Sequence, residues 1–237
     1  MGYSPGSRLA LRRRQIIAAA IAAGIAPAAR AGGGPVVLEL FTSQGCSSCP
    51  PADALLGQLA RRPDVIALAW HVDYWDRLGW RDPYASREAT ERQRAYARQL
   101  NSLVYTPALV INGAKLVVGS DNAAIETVIE AAAALPVLVT LSRTEDGTVV
   151  EMGAAPGPVR VLRAVYDPEH ATTVSAGEND GARLHEYRIV REVEALGEWD
   201  GSARRFATKA PGPGQGQVIL LQSADLRVVG AAEQPPG

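Results

Sequence analysis

Cysteine is scarce in this chain, with two residues among 237; methionine and phenylalanine are equally rare at two each, and histidine numbers three. A disulfide-rich scaffold is thereby excluded, and no second Cys or His pair exists to complete a zinc site. An excess of one charge is missing as well. The 24 basic and 25 acidic side chains leave a net charge of −1, which argues against nucleic acid or anionic lipid as the main partner, because neither has anything to neutralise here. Long apolar runs are absent too. The stretch from Ile16 to Ile25 falls well short of the roughly 20 residues a membrane-spanning helix needs.

That stretch has another reading. Arg8, Arg12, Arg13 and Arg14 precede it, and Ala29-Arg30-Ala31 follows as a small-x-small cleavage site, so residues 1–31 have the three parts of a secretory signal. The mature chain is expected to begin near Gly32 and to reside in the periplasm or outside the cell, without stable membrane insertion. Arg13-Arg14-Gln15-Ile16-Ile17 also loosely resembles a twin-arginine signal, and both export routes remain open. The segment carries five of the basic residues and none of the acidic ones, leaving 19 against 25 and a mature net charge of −6.

The two cysteines stand as Cys46-Ser47-Ser48-Cys49, after the apolar run Val36 to Phe41 and before Pro50-Pro51. A C-x-x-C between strand and helix sets the first sulfur at a helix N-terminus, where free N–H groups and the helix dipole favour thiolate. Export takes the pair into an oxidising compartment where a disulfide persists. So small a loop removes little unfolded-chain entropy and makes a poor staple. Reversible redox chemistry suits the spacing better.

Leu55, Leu56 and Leu59 recur at helical spacing, and Val65 to Trp70 reads as a second buried strand, giving a strand–helix–strand unit with a right-handed crossover. Asp82-Pro83 is expected to cap a helix over 84–100. Ala108 to Ile111 and Lys115 to Gly119 flank Asn112-Gly113, a hairpin signal, and Asp121 caps a last helix. From Pro136 short strand-like runs alternate with Gly/Pro turns, at 137–142, 148–152, 159–166, 184–191 and 218–221. The expected organisation is an α/β domain over 32–135, a mainly antiparallel, β-sandwich-like domain over 136–230, and a disordered tail over 231–237.

Residues 36–134 resemble the thioredoxin superfamily on three counts. These are the Cys46/Cys49 pair between strand and helix, Thr106-Pro107 opening an edge hairpin about 60 residues later, and the order of the elements. The resemblance implies that Cys46 attacks a substrate disulfide, that Cys49 resolves the mixed disulfide, and that Pro107 is cis. Thr106 and Pro107 would then meet an extended substrate segment. Glu39 lies inside a buried strand, where a carboxylate is costly without a task or a partner. It is expected to be the superfamily's buried acid, accepting the Cys49 proton, although it stands seven residues before Cys46 rather than six. The alternative is a structural bond to an arginine or a helix end. The loop His71-Val72-Asp73-Tyr74-Trp75-Asp76 follows the second strand, and Trp75 there is either a substrate wall or part of a hydrophobic plug.

With Phe41 to Asp53, Gly177-Glu178-Asn179-Asp180-Gly181 and Leu196-Gly197-Glu198-Trp199, this loop also resembles an uncharacterised family of bacterial secreted proteins, a domain of unknown function with a thioredoxin-like start. Gly177 to Gly181 reads first as ordinary turn chemistry, the alternative being a loop that meets a ligand or the first domain. The expected activity is thiol–disulfide exchange, with no cofactor and no metal. The expected partners are a protein thiol or disulfide substrate and a redox partner. Two other readings stay open: Cu(I) binding by the dithiol with His71, and an envelope binding module in which the dithiol is secondary.

Overall fold

Strand β1 (Val36–Thr42) is buried along its whole length, as the unbroken apolar run predicts for a strand covered on both faces. The structure is a computed structural model that describes residues 1–2 and 34–237; the arginines, apolar stretch and cleavage site of the expected signal segment lie outside the described residues. Helix α1 (Pro50–Leu59) crosses from β1 to β2 (Val65–His71), which pairs with β1 in parallel from Val36↔Val65 to Thr42↔His71. The hairpin β3 (Ala108–Ile111) and β4 (Lys115–Val118) adds to the other edge of β1 in antiparallel fashion. Its loop contains three residues, Asn112 to Ala114, with positive φ at Asn112 and Gly113.

The period of two along β1 and β2 decides what each helix meets. Val37 and Phe41, with Ile66, Leu68 and Trp70, face Ala89 and Tyr96 of helix α2 (Arg87–Gln99). Leu38 and Leu40, with Ala67 and Ala69, face Leu56 of α1 and Ile125 and Ile129 of helix α3 (Asn122–Ala131). Phe41 stacks on Trp70 at 6.5 Å and meets Tyr96 edge-on at 6.1 Å, each such pair being worth about 0.5–1.5 kcal/mol beyond its buried area. Helix α2 begins later than the sequence predicts. Its cap is Ser86, whose hydroxyl accepts from the Ala89 amide at 3.1 Å, because Asp82 is engaged elsewhere. The cap of α3 is Asp121, as expected.

Strands β7 (Val159–Thr173) and β8 (Arg183–Trp199) form a long hairpin, and β10 (Gly216–Gln222) and β11 (Val228–Gln234) follow beside β7. Strand β8 also joins β2 in parallel at Ala69↔Ile189, so one eight-stranded, mainly antiparallel sheet runs β11-β10-β7-β8-β2-β1-β3-β4. The division at 135/136 therefore separates chain segments but not sheets. A second sheet, β5 (Val139–Thr144), β6 (Gly147–Met152) and β9 (Arg204–Thr208), packs Val139, Val150 and Met152 onto Val161, Ile219 and Leu221. That packing is the sandwich-like part of the fold. The expectation of a tail disordered from 231 is corrected, because residues 231–234 lie in β11 and register with β10 from Gln217↔Gln234 to Leu220↔Ala231.

Helix α1 is fastened across the join. A Cβ on Gly57 would lie 2.4–2.7 Å from the ring of Tyr187 in β8, so only glycine lets the helix approach so closely. Among the described residues no helix is long and apolar enough to cross a membrane.

Candidate functional site

Cys46 and Cys49 are joined in a disulfide, with Cα atoms 5.4 Å apart, and neither residue has exposed surface. The turn that holds them is self-bonded. Cys46 N–H donates to Ser43 O at 3.1 Å, and Cys49 N–H to Cys46 O at 3.2 Å. Cys49, rather than Cys46, is the N-cap of α1, and Pro50 and Pro51 occupy the first helical positions. Prolines donate no N–H, so the helix end offers fewer free donors than a C-x-x-C usually enjoys. The polar atom beside Cys46 Sγ is the Ser48 hydroxyl, at 3.4 Å.

Glu39 belongs elsewhere. Being odd-numbered in β1, it shares the α2 face with Val37 and Phe41, whereas α1 and the cysteines lie on the opposite face. Its carboxylate takes Arg92 Nε at 2.5 Å, Arg92 Nη2 at 2.9 Å and the Tyr96 hydroxyl at 2.6 Å. Arg92 lies over the rings of Trp70 and Tyr96, and Gln222 of β10 bonds both Arg92 and Tyr96. The expectation that Glu39 serves the cysteines is corrected to the structural alternative. The added residue between Glu39 and Cys46 reverses the face.

On the cysteine face stands a buried cluster that the sequence reading overlooked as a group. Asp53 lies one helical turn after Cys49, its N–H bonded to Cys49 O at 3.1 Å. His71, paired in register with Thr42, donates through Nδ1 to Asp82 Oδ2 at 2.7 Å, and its Nε2 lies 3.9 Å from Glu186 Oε1. Burial pushes the Asp53 carboxyl up to about 7, with His71 pulling the other way and Glu186 adding to the rise. Burial alone would lower the His71 pKa, but Asp82, Glu186 and Asp53 together outweigh it and raise His71 to about 9. Asp82 sits below the ordinary carboxylate range: burial opposes ionisation, and the charge and hydrogen bond of His71 overcome it. Glu186 is held up by burial. Asp53 Oδ1, His71 Nε2 and Glu186 Oε1 have no hydrogen-bond partner. The sequence signal was an aspartate at the i+4 position from Cys49.

Gln44 ties this cluster to the cysteine turn. Its N–H donates to Asp82 at 2.9 Å, its Nε2 to Glu186 at 2.6 Å, and its Oε1 accepts from Trp80 Nε1 at 2.9 Å. From the tip of the β7–β8 hairpin, Asn179 Nδ2 donates to Gln44 O at 2.9 Å and Cys46 O at 3.0 Å, and Glu178 accepts from Ser47 N at 3.2 Å and Ser47 Oγ at 2.7 Å. Gly177 to Gly181 thus combines both sequence readings, a turn that meets the cysteine loop.

A third group joins the 3₁₀ loop to the start of the edge hairpin. Trp75, in the 3₁₀ segment Asp73–Leu78, donates from Nε1 to the Thr106 hydroxyl at 2.8 Å, and the Thr106–Pro107 peptide is cis. A Cβ on Gly45 would stand 3.0 Å from Trp75 Cβ, so this tryptophan lies directly against the cysteine turn. Tyr74, Arg77, Arg94 and Val104 line a shallow depression beside it. Among the described residues no group of three or more His, Cys, Asp or Glu side chains is arranged to hold a metal ion.

No curated protein matches the chain. Among solved structures it resembles protein AGR_C_4864 from Agrobacterium tumefaciens, at 34% identity and a TM-score of 0.75 over 86% of this chain and 96% of that one. It also shares a fold with HBP35 of Porphyromonas gingivalis, at 17% identity and a TM-score of 0.58 over 86% of this chain and 76% of that one. Residues 37–222, which hold the cysteine turn, the buried cluster and the hairpin tip, match the family described as "Protein of unknown function (DUF1223)", and the chain belongs to that family.

Proposed function

We propose that this protein is an exported, thioredoxin-like thiol–disulfide oxidoreductase that works through Cys46 and Cys49. The observation that carries the reading is the disulfide itself. A bond closing so small a loop contributes little as a staple, yet it stands between β1 and α1, with Asp53 of the buried cluster bonded to Cys49 O and with Trp75, the hydrogen-bond partner of Thr106, against Gly45 of its turn.

In the reduced protein, the Cys46 thiolate attacks one sulfur of a substrate disulfide. That bond breaks, and the leaving thiolate takes a proton from solvent. The Cys49 thiol then passes its proton to the Asp53 carboxylate, attacks Cys46 Sγ and releases the second substrate thiolate. The substrate gains two electrons and the protein is left as the disulfide; the reverse sequence oxidises a substrate dithiol. A carboxyl that titrates near 7 is suited to that exchange of one proton. Ser48 Oγ is the donor closest to hand for the Cys46 thiolate, and Thr106 with Trp75 forms the wall against which an extended substrate segment lies. A protein thiol or disulfide is the substrate class, and a redox partner resets the pair after each turnover.

The Cu(I) reading lacks comparable support, because His71 is committed to Asp82 and enclosed by Glu186. The discriminating experiment incubates the reduced Cys49→Ala and Cys46→Ala variants with oxidised glutathione and follows adducts by mass spectrometry. Rapid adduct formation at Cys46 in Cys49→Ala, with little at Cys49 in Cys46→Ala, is expected. Failure of both variants to form an adduct, or equal rates at the two sulfurs, refutes the exchange reading.

A further inference from the structure

Exchange at Cys46 requires a path to its sulfur, and the structure closes that path: Cys46 and Cys49 are both fully buried, while Ser47 and Ser48 between them are exposed. An element from the far half of the chain lies on the same turn. The tip of the β7–β8 hairpin, residues 174–182, lays two consecutive side chains on the cysteine turn. Asn179 donates to the carbonyls of Gln44 and Cys46, and Glu178 accepts from the amide and hydroxyl of Ser47. These four bonds engage three residues of the turn, one of them the cysteine assigned the attack.

The tip is shaped independently of what it touches. Val174 N–H bonds Ala182 O at 2.9 Å, Gly181 N–H bonds Val174 O at 2.9 Å, and Ala182 N–H bonds Asn179 O at 3.0 Å. Gly177 and Gly181, with φ of +77° and +78°, bracket Glu178 and Asn179 in conformations that side-chain-bearing residues adopt at a cost. On its flank Gly177 meets the 3₁₀ loop, where an added Cβ would stand 3.3 Å from Trp80 Cβ. The contacts to the turn are polar and partly wet: Glu178 is exposed and Asn179 half-buried. Bonds of that kind are individually weak and exchange readily with water. A loop held this way is secured, but not sealed into the core.

We infer that the β7–β8 tip is a gate over the disulfide, with Asn179 and Glu178 as its fastenings, and that it decides which thiols reach Cys46. A small thiol reacts during brief openings. A protein thiol must displace the tip and offer its own backbone or side-chain groups to the Gln44 and Cys46 carbonyls that Asn179 vacates. The gate is thus a specificity element for the proposed exchange, contributed by the segment that follows residue 136, and it rests on that reading.

The test uses the full mature chain in its oxidised form and measures reduction of the Cys46–Cys49 disulfide by dithiothreitol and, separately, by a reduced thioredoxin, with mass-spectrometric counting of free thiols. Asn179→Asp removes the Nδ2 donor at nearly constant shape, and Asn179→Ala combined with Glu178→Ala removes all four bonds. Reduction is expected to accelerate about 10-fold in the first variant and more in the second, with a larger gain for the protein thiol than for dithiothreitol. Amide exchange over residues 44–49 should rise in the same variants while residues 65–70 in β2 keep their protection, which separates an opened gate from a loosened fold. Wild-type rates in both variants, or loss of protection throughout β2, overturn the gate. The outcome is independent of glutathione adduct formation: faster reduction without exchange at Cys46 sinks the oxidoreductase reading and leaves the gate standing, whereas unchanged reduction with normal exchange does the opposite.

Discussion

Replacing Asp53 by asparagine should change how stability depends on pH before it changes anything else. In the folded protein burial raises this carboxyl from 3.8 to about 7. Between those values the native state holds a proton that the unfolded chain has released, so stability falls as pH rises. The contribution is fully present below pH 3.8 and lost by about pH 7, and the three-unit gap amounts to about 4 kcal/mol at 1.36 kcal/mol per unit. Glu186, also held up by burial, adds to the same fall. His71 has the same sign in a later window, its stabilisation lost as pH climbs from 6.5 towards about 9. Asp82 has the opposite sign, since its depressed pKa costs stability only in strong acid. Urea unfolding with the disulfide intact, repeated from pH 4.5 to 8.5, should show the wild type losing stability steadily across that range. Asp53→Asn should flatten most of the fall below pH 7 and retain the His71 limb above it. The same substitution should leave mixed-disulfide formation at Cys46 intact and slow its resolution by Cys49 about 100-fold. Equal slopes for wild type and variant below pH 7 would refute the assignment of a raised carboxyl pKa at this position.

Arg92→Ala should destabilise the protein by about 3–5 kcal/mol in urea titrations, because Glu39, 1% exposed, is left buried without its counter-ion. Adding Glu39→Gln should recover a good part of that loss, and a double variant no more stable than Arg92→Ala alone would speak against the pairing. Gly57→Val should lower the thermal midpoint by placing methyl groups into the Tyr187 ring, at about 1–3 kcal/mol. Gly57→Val combined with Tyr187→Ala should restore part of it; an unshifted midpoint in the single variant would show that α1 does not depend on that approach.

How far the site was legible differs from residue to residue. The cysteine pair, the Thr106–Pro107 turn and the order of the first elements rest on local signals, a spacing, a proline and an apolar period, and those survive folding unchanged. Glu39 was misjudged because a chemical rule about buried acids was applied one residue out of phase, and in a strand one residue is a whole face. Asp82 has the sequence signature of a cap and is instead the hydrogen-bonded partner of His71, since local capping competes with a buried charge that needs a direct bond and loses to it. Strands β9 and β11 were missed because Arg204, Arg205, Glu233 and Gln234 interrupt an apolar pattern. The pairing of Ala69 with Ile189 spans 120 residues, and nothing in either strand names the other. The gate was half legible: the glycines announced a turn, but its target depends on that same long-range pairing.

The insertion of β8 between β2 and the remaining strands has a consequence for how this chain can be divided. A fragment ending near residue 135 would contain the cysteines, both flanking strands and the cis-proline, yet it would present the free border of β2 to water, with the apolar residues around Ala69 uncovered. Such a border recruits strands from other molecules. The rear half is therefore the front half's guard against self-association as well as the bearer of Asn179, and a minimal module holding Cys46 and Cys49 cannot be cut from this protein without designing a replacement for that border.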